Sequence, residues 1–321
     1  MTSVENLLTA WREFLPGKAK KKDVQTFESR FFNDILTLHR ELASKIYKHG
    51  GYYQFNIADP KPRIIHKASV RDRLLHHAIH RLLYPFFEKK FIADSFFCRI
   101  NKGTHRALNR FKAMAYEVSK NHTRTCWVLK CDIKKFFASI DHQILLSILN
   151  NYITDQDILR LLGNVINSFS TNPGKGLPLG NLTSQIFSNI YMNELDQFMK
   201  HNLKVRHYIR YADDFVILSE HKNLLVSMIP VIQRFLWERL KLSLHPDKVF
   251  IKTFASGVDF LGWVHFSDHR VLRTATKHRM MKRVKENPKK AVVQSYLGLL
   301  SHGNGFKLKK TLFCPYSSFV S

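Results

Sequence analysis

From Thr26 to Lys48 the apolar residues Phe27, Phe31, Ile35, Leu38, Leu42 and Ile46 recur at intervals of three and four, which places them on one face of a helix packed into a core. Pro60 and Pro62 then interrupt the chain before a short strand, Arg63 to Lys67. A long helix is expected from about Val70, with His76, His77 and His80 as packing or backbone-facing residues. The stretch CRINKGTHRALNRFKAMAYEVSK predicts a glycine-containing turn followed by an amphipathic helix. CWVLKCDIKKFFASIDHQILLSIL predicts an apolar strand ending at Asp132, a turn, and a helix whose entry is marked by Ser139 and Asp141. Glycines and prolines between Pro173 and Pro178 mark a loop, and Leu182 to His201 then has the spacing of a long, largely buried helix. The apolar arms HYIRY and FVILS flank Ala212-Asp213-Asp214 as a β-hairpin, with Asp suited to its turn.

A helix around Val226 to Leu240, short strands through LSLHPDKVFIKTFASGVDFLGWVHF and a basic helical tail from Arg273 complete the pattern. Strands and helices do not alternate regularly, so an α+β fold is expected rather than a parallel doubly wound sheet. No internal repeat or low-complexity linker interrupts it.

Charge changes this picture more than composition does. The chain carries 51 Lys and Arg against 25 Asp and Glu, a formal charge of +26 with a pI near 10.0. An excess spread over the whole length points to a polyanionic partner, with nucleic acid favoured over an acidic membrane surface or a charge that serves only solubility. With 45% hydrophobic and 12% aromatic residues the chain has material for a substantial core, which excludes a disordered basic tail. No apolar run reaches the roughly 18 residues of a membrane span, and the N-terminal stretch lacks the pattern of a secretory signal, so a cytoplasmic protein with no membrane partner is expected. Cys98, Cys126, Cys131 and Cys314 form no CxxC pair and read as structural thiols. The run Lys18, Lys20, Lys21 and Lys22 is either a solvated loop or a contact with an RNA backbone.

Against that excess, two adjacent carboxylates at a hairpin tip need a reason. They repel each other, and become tolerable where a divalent cation sits between them and a third acid. Asp132, at the end of its own strand, can supply that acid if the two strands are neighbours. Oxygen ligands of this kind suit Mg²⁺, with phosphates and water completing the shell. Two such ions, about 3.5–4 Å apart, serve nucleotidyl transfer. An isolated Asp-Asp pair would sooner be read as a turn former; here the preceding tyrosine, the flanking apolar strands and Asp132 upstream favour the catalytic reading.

Taken in order, these motifs resemble those of the reverse transcriptases. YADD (Tyr211–Asp214) looks like their Tyr-x-Asp-Asp hairpin, and CDIKKFFASID looks like their motif of a catalytic Asp followed by paired aromatics. The resemblance covers about Pro60 to Trp263. It implies a right-hand α+β polymerase: a helical extension over 1–58, fingers over 59–125, a palm with an antiparallel sheet backed by helices over 126–272, and a short basic helical thumb over 273–321. Asp132, Asp213 and Asp214 match the metal-site acids, implying two Mg²⁺ ions with Mn²⁺ as a substitute. Phe137 matches the aromatic beneath the incoming sugar, or else is core packing. Arg63 and Arg71 match the residues that grip the triphosphate, or else touch RNA; Lys248 resembles the lysine proposed to protonate pyrophosphate. FLGW, Phe260 to Trp263, resembles the turn that cradles the primer end. Implied partners are template RNA, RNA/DNA duplex and deoxynucleoside triphosphates.

Within that family, Leu179-Gly180 and Ser184-Gln185 are similar to the diversity-generating retroelement enzymes, where others carry Gln-Gly and Ser-Pro. Leu179, Gly180 and Gln185 are therefore expected at the nucleotide site. An aliphatic Leu179 cannot offer the glutamine's polar contacts, so the resemblance implies misincorporation opposite template adenines during mutagenic retrohoming; a neutral packing change is the alternative. A small basic accessory protein is also implied. After FLGW a short basic thumb is expected, with no RNase H or endonuclease domain, and whether that thumb is complete stays open. The remaining readings are another bacterial reverse transcriptase of ordinary fidelity, serving phage defence or like those of retrons or group II introns, and, more remotely, a non-catalytic RNA-binding scaffold.

Overall fold

The computed structural model describes residues 1–58 and 62–313; the Pro60 break and Cys314 lie outside the described residues. Three N-terminal helices, α1 (Val4–Phe14), α2 (Lys22–Glu28) and α3 (Phe31–Ala43), build a layer against one another and against α4 (Val70–Glu88). The single helical stripe expected from Thr26 to Lys48 is broken at its start and its end. Ser29 closes α2 by donating from its amide to Gln25 O, and Arg30 leaves the helical region at φ −120°. At the other end Lys45 takes a left-handed φ of 61°, and the amides of Ile46 and Tyr47 both return to Glu41 O. The chain reverses there, so Tyr47 enters the core while Ile46 is left 67% exposed.

β1 (Tyr52–Ile57) and β2 (Arg63–Ala68) form an antiparallel hairpin from Tyr52↔Ala68 to Ile57↔Arg63. The sequence pattern shows β2 but not β1, whose residues are mostly exposed and carry no alternation to read. This hairpin straddles the expected division at 58/59. Ser69 caps α4 by accepting from the Asp72 amide, and Gly103, at φ 100°, precedes α5 (Thr104–Val118).

The main sheet has the order β4-β5-β3-β6, all neighbours antiparallel, from β3 (Trp127–Asp132), β4 (Tyr208–Tyr211), β5 (Asp214–Ser219) and β6 (Phe250–Thr253). Alternation along its strands feeds two cores. Leu129, Cys131, Tyr208, Phe215 and Ile217 face the larger one, with α7 (His142–Asn150), α8 (Gln156–Asn167), α9 (Leu182–Gln197) and α10 (Lys222–Leu240). Val128, Ile209, Val216 and Leu218 face a second core, shared with α5. That core also takes side chains from a three-stranded antiparallel sheet, β7 (Val258–Phe260), β8 (Trp263–His265) and β9 (Arg270–Leu272), and from α11 (Thr274–Glu286) and α12 (Lys290–Leu300). α13 (Phe306–Phe313) follows.

Between β3 and α7 lies the one-turn helix α6 (Phe136–Ser139). Asp141 alone caps α7, accepting from the amides of Gln143 and Ile144, because Ser139 belongs to the preceding turn. α9 is buried on nearly every side, and at Gln197 it passes into a π-turn, Phe198–Asn202. The architecture is the α+β one expected: an antiparallel sheet backed by helices.

Candidate active site

The three acids meet at one end of the main sheet because of strand register. Asp132, the last residue of β3, pairs with Asp214, the first of β5, which in turn pairs with Tyr211 of β4. Only Ala212 and Asp213 separate the two hairpin strands, and it is Ala212, at φ 56°, that takes the left-handed conformation a turn this tight requires. The Ile133 amide donates to Asp213 O (3.3 Å), and the His245 amide donates to Asp132 O (2.7 Å). The backbones carrying Asp132 and Asp213 are thus tied to each other and to the loop before Lys248.

Their electrostatics are those of anions held together away from water. Burial pushes the Asp214 carboxyl up to about 7, with Lys130 opposing the shift and Asp132 and Asp213 adding to it. Asp213 is raised by burial first and by Asp132 second. Two lysines compensate the cluster: Lys248 Nζ lies 3.0 Å from Asp132 Oδ1, and Lys130 Nζ lies 3.4 Å from Asp214 Oδ2. Lys130 was not among the residues expected here. Its signal in the sequence is that it lies two before Asp132 on an otherwise apolar strand, and so on the same face.

Asp214 Oδ1 is buried and has no hydrogen-bond partner. Among the described residues no three His, Cys, Asp or Glu side chains form a ready-made metal cluster, and two of these carboxylates lean on lysines. The donor set nevertheless fits a hard divalent cation. It is all oxygen, one buried oxygen is unsatisfied, and octahedral Mg²⁺ needs only one or two carboxylates once phosphates and water contribute.

Around the acids the structure places the other expected residues unequally. Phe137, in α6, meets Phe97 edge to face (6.4 Å between centroids), and Phe97 meets Tyr211 in the same way (5.5 Å), so an aromatic wall runs from Phe137 to the hairpin. Arg63, exposed at the start of β2, bears on Asp213 and lowers its pKa. Leu179 O accepts from the His66 amide (3.0 Å) and Asn181 Nδ2 donates to His66 O (2.7 Å), which pins the β1–β2 hairpin to this loop. Gly180 (φ 101°) and Gln185 line a cavity of about 260 Å³ together with Ile65, Lys67 and Arg73.

Arg71 does not join them. Its guanidinium donates to Glu41 (3.0 Å), Asp72 (3.3 Å) and Lys48 O (2.5 Å) and lies over the Tyr47 ring. It fastens the chain leading into β1. The arrangement thus gathers three carboxylates and two lysines at one end of the main sheet, with the Phe137–Phe97–Tyr211 rings reaching the same hairpin.

A family model described as "Reverse transcriptase (RNA-dependent DNA polymerase)" matches residues 46–265. Protein YkfC of Escherichia coli (strain K12) is 26% identical over 258 residues, covering 68% of this chain and 66% of that protein. The group II intron-encoded protein LtrA of Lactococcus lactis subsp. cremoris is 24% identical over 276 residues, covering 65% of this chain and 44% of LtrA. The chain thus spans under two thirds of these relatives' length. Among solved structures, telomerase from Candida albicans in complex with a fragment of telomeric RNA superposes with a TM-score of 0.52 at 13% identity, over 83% of this chain and 54% of that one. At that identity the likeness speaks for the fold alone.

Proposed function

The chain belongs to the reverse transcriptase family and has a right-hand polymerase fold, and from that premise we propose that it is an RNA-directed DNA polymerase that copies a template RNA into cDNA. The observation that carries this is the register that sets Asp132 opposite Asp214, beside Asp213 at the hairpin tip and with Lys248 3.0 Å from Asp132. Asp132, Asp213 and Asp214 would hold Mg²⁺, or Mn²⁺ in its place, which when bound supplies charge neutralisation and a more acidic 3′-hydroxyl. The remaining work belongs to the protein. The 3′-hydroxyl of the primer gives up its proton to solvent, its oxygen attacks the α-phosphorus of a deoxynucleoside triphosphate, the bond to the bridging oxygen breaks, and pyrophosphate leaves. Arg63 receives the triphosphate, Lys248 Nζ supplies a proton to the leaving pyrophosphate, and the Phe137 wall bears on the sugar. The division into extension (1–58), fingers (59–125), palm (126–272) and thumb (273–321) belongs to the same proposal.

The charge of +26 suits a template-primer duplex, because each phosphate neutralised releases counterions. Among the described residues no helix is long and apolar enough to cross a membrane. Leu179 and Ser184-Gln185 support the diversity-generating subtype, with errors opposite template adenines and a small basic accessory protein as partner. Leu179 has an aliphatic side chain, and its carbonyl is already bonded to His66. A second reading, a group II intron-like enzyme of ordinary fidelity, is favoured by the similarity to LtrA.

Primer extension on an RNA template, with Mg²⁺ and four deoxynucleotides, beside Asp213→Asn, tests the proposal. Synthesis by the wild type and none by the variant is the expected result, and equal synthesis by both refutes the site. Sequenced products rich in changes opposite adenines support the diversity-generating subtype; faithful products support the intron-like one.

A further inference from the structure

We propose that Arg210 and Asp196, a buried ion pair outside the acidic cluster, are positioning residues that set the turn bearing Asp213. The inference rests on the polymerase reading above. Both side chains are completely buried. Arg210 Nε and Nη2 form a bidentate pair with Asp196 Oδ1 (2.7 Å) and Oδ2 (2.6 Å), and the Tyr208 hydroxyl also donates to Oδ1 (2.8 Å). Tyr208 and Arg210 are two apart on β4 and so share a face, which looks onto Asp196 near the end of α9.

A pair this deep is a poor device for stability alone. Desolvating two charges offsets much of their attraction, and apolar residues of similar volume commonly serve as well or better. What apolar residues cannot supply is direction. The guanidinium is a rigid plane, and once Asp196 has fixed that plane the remaining donors point along set lines. Nη1 reaches Ala212 O (3.1 Å) and lies 3.5 Å from Asn189 Oδ1, while Nη2 reaches Ser95 Oγ (3.1 Å). Arg210's backbone is held as well: its amide donates to Asp94 O and its carbonyl accepts from the Phe96 amide, both at 3.0 Å.

Ala212 is the residue in the left-handed conformation, which disfavours any side chain with a Cβ. Its carbonyl belongs to the peptide plane that ends at the Asp213 nitrogen, so holding that oxygen sets the plane from which Asp213 departs. On the other side of Asp213, its own carbonyl is held by the Ile133 amide at 3.3 Å. The two peptides that bracket the acid are therefore gripped from different elements, one by Arg210 and the other by the residue after Asp132. The pair transmits the placement of α9 to the hairpin tip without touching substrate.

The test uses the full chain carrying Arg210→Met with Asp196→Leu, which removes both charges together, and, separately, Arg210→Lys, which keeps a charge but not the fork. Three properties are read: the thermal midpoint, hydrogen exchange of the amides of 211–215, and primer-extension kinetics with Mg²⁺. The expected result for the double variant is a retained midpoint, faster exchange at the turn, and a kcat lower by about 100-fold, as a misplacement near 1 Å produces. KM for the deoxynucleotide changes less than about threefold, since ground-state binding is untouched. Arg210→Lys is expected to lose kcat in the same way.

A folded double variant with wild-type kcat and unchanged exchange overturns the inference; if that variant does not fold, wild-type kcat in Arg210→Lys overturns it. Inactivity of the wild type itself speaks against the polymerase reading, and exchange at 211–215 then still decides whether the pair holds the turn.

Discussion

Gly180 is the expected nucleotide-site residue whose replacement has the most calculable effect. Its φ of 101° lies in the region that side chains avoid, and a Cβ built on it would stand 2.8 Å from Ile65 Cγ2 on β2. Gly180→Ala therefore meets two separate penalties. The backbone one is about 1–2 kcal/mol for a side chain at positive φ, and the steric one is about 1–3 kcal/mol for an atom forced into packed surroundings. A gain of about 0.4–1 kcal/mol from stiffening the unfolded chain offsets part of this, leaving a net loss of about 1–5 kcal/mol. Only the steric part depends on Ile65, which is half-buried. Adding Ile65→Ala should restore about 1–3 kcal/mol relative to the sum of the single changes, a coupling of the size that contacting residues show.

Urea unfolding of the four proteins of this cycle, at constant m-value, measures the coupling. Because Leu179 and Asn181 on either side bond to His66, the same strain should loosen the β1–β2 hairpin and raise KM for the deoxynucleotide in the single variant. Additivity within about 0.5 kcal/mol would refute the reasoning, since it would mean the loop does not rest on Ile65.

Lys248→Met should separate chemistry from folding. Its pair with Asp132 has a lysine side chain 44% exposed, and such a pair is worth under about 1 kcal/mol of stability, yet single-turnover extension should fall by at least about tenfold if its proton serves the leaving group. Unchanged single-turnover rates would remove Lys248 from the mechanism. Acid should destabilise the helical core around α4, where burial depresses the pKa of His76 to about 3 and of His77 and His80 to about 4, all from 6.5. Below 6.5 the unfolded chain binds these protons and the folded one does not, so this stability is complete above about pH 6.5 and is lost as pH falls toward the folded values. Asp214, raised to about 7, and Asp213, also raised, work in the opposite sense, while buried His265, depressed to about 3, works in the same sense as the three histidines of α4. A lower urea midpoint at pH 5 than at pH 7.5, by about 2 kcal/mol or more of stability, is expected; equal midpoints would contradict the burial of these rings.

The elements legible from sequence are those whose cause lies within a few residues. Ser69 caps α4 and Asp141 caps α7 through bonds to amides two or three positions on, and the arms around Ala212-Asp213-Asp214 pair across a two-residue turn. The same locality made Asp132 readable as the end of a strand. Where a choice depended on a distant partner, the pattern was silent or misleading. The stripe from Phe27 to Ile46 contains no sign that the chain turns at Lys45 and buries Tyr47, whose hydroxyl is claimed by Asp72. β1 shows itself only by its pairing with β2.

Charged side chains show the limit most clearly. Arg63 and Arg71 stand eight apart and look alike in the sequence, yet Arg63 bears on Asp213 while Arg71 is engaged by Glu41, Asp72 and Lys48 O. Lys130 and Arg210 sit in apolar strands where no local rule names their counter-ions, and these prove to be Asp214 and Asp196. By itself, the sequence determined the strands and helices from β2 to the acidic hairpin, the acidic tip and the family, because these depend on short periods and contiguous motifs. Which carboxylate each cation neutralises, and so how the acids are held, only the tertiary structure decided, because a long side chain bonds to whatever the fold brings within about 3 Å of its end.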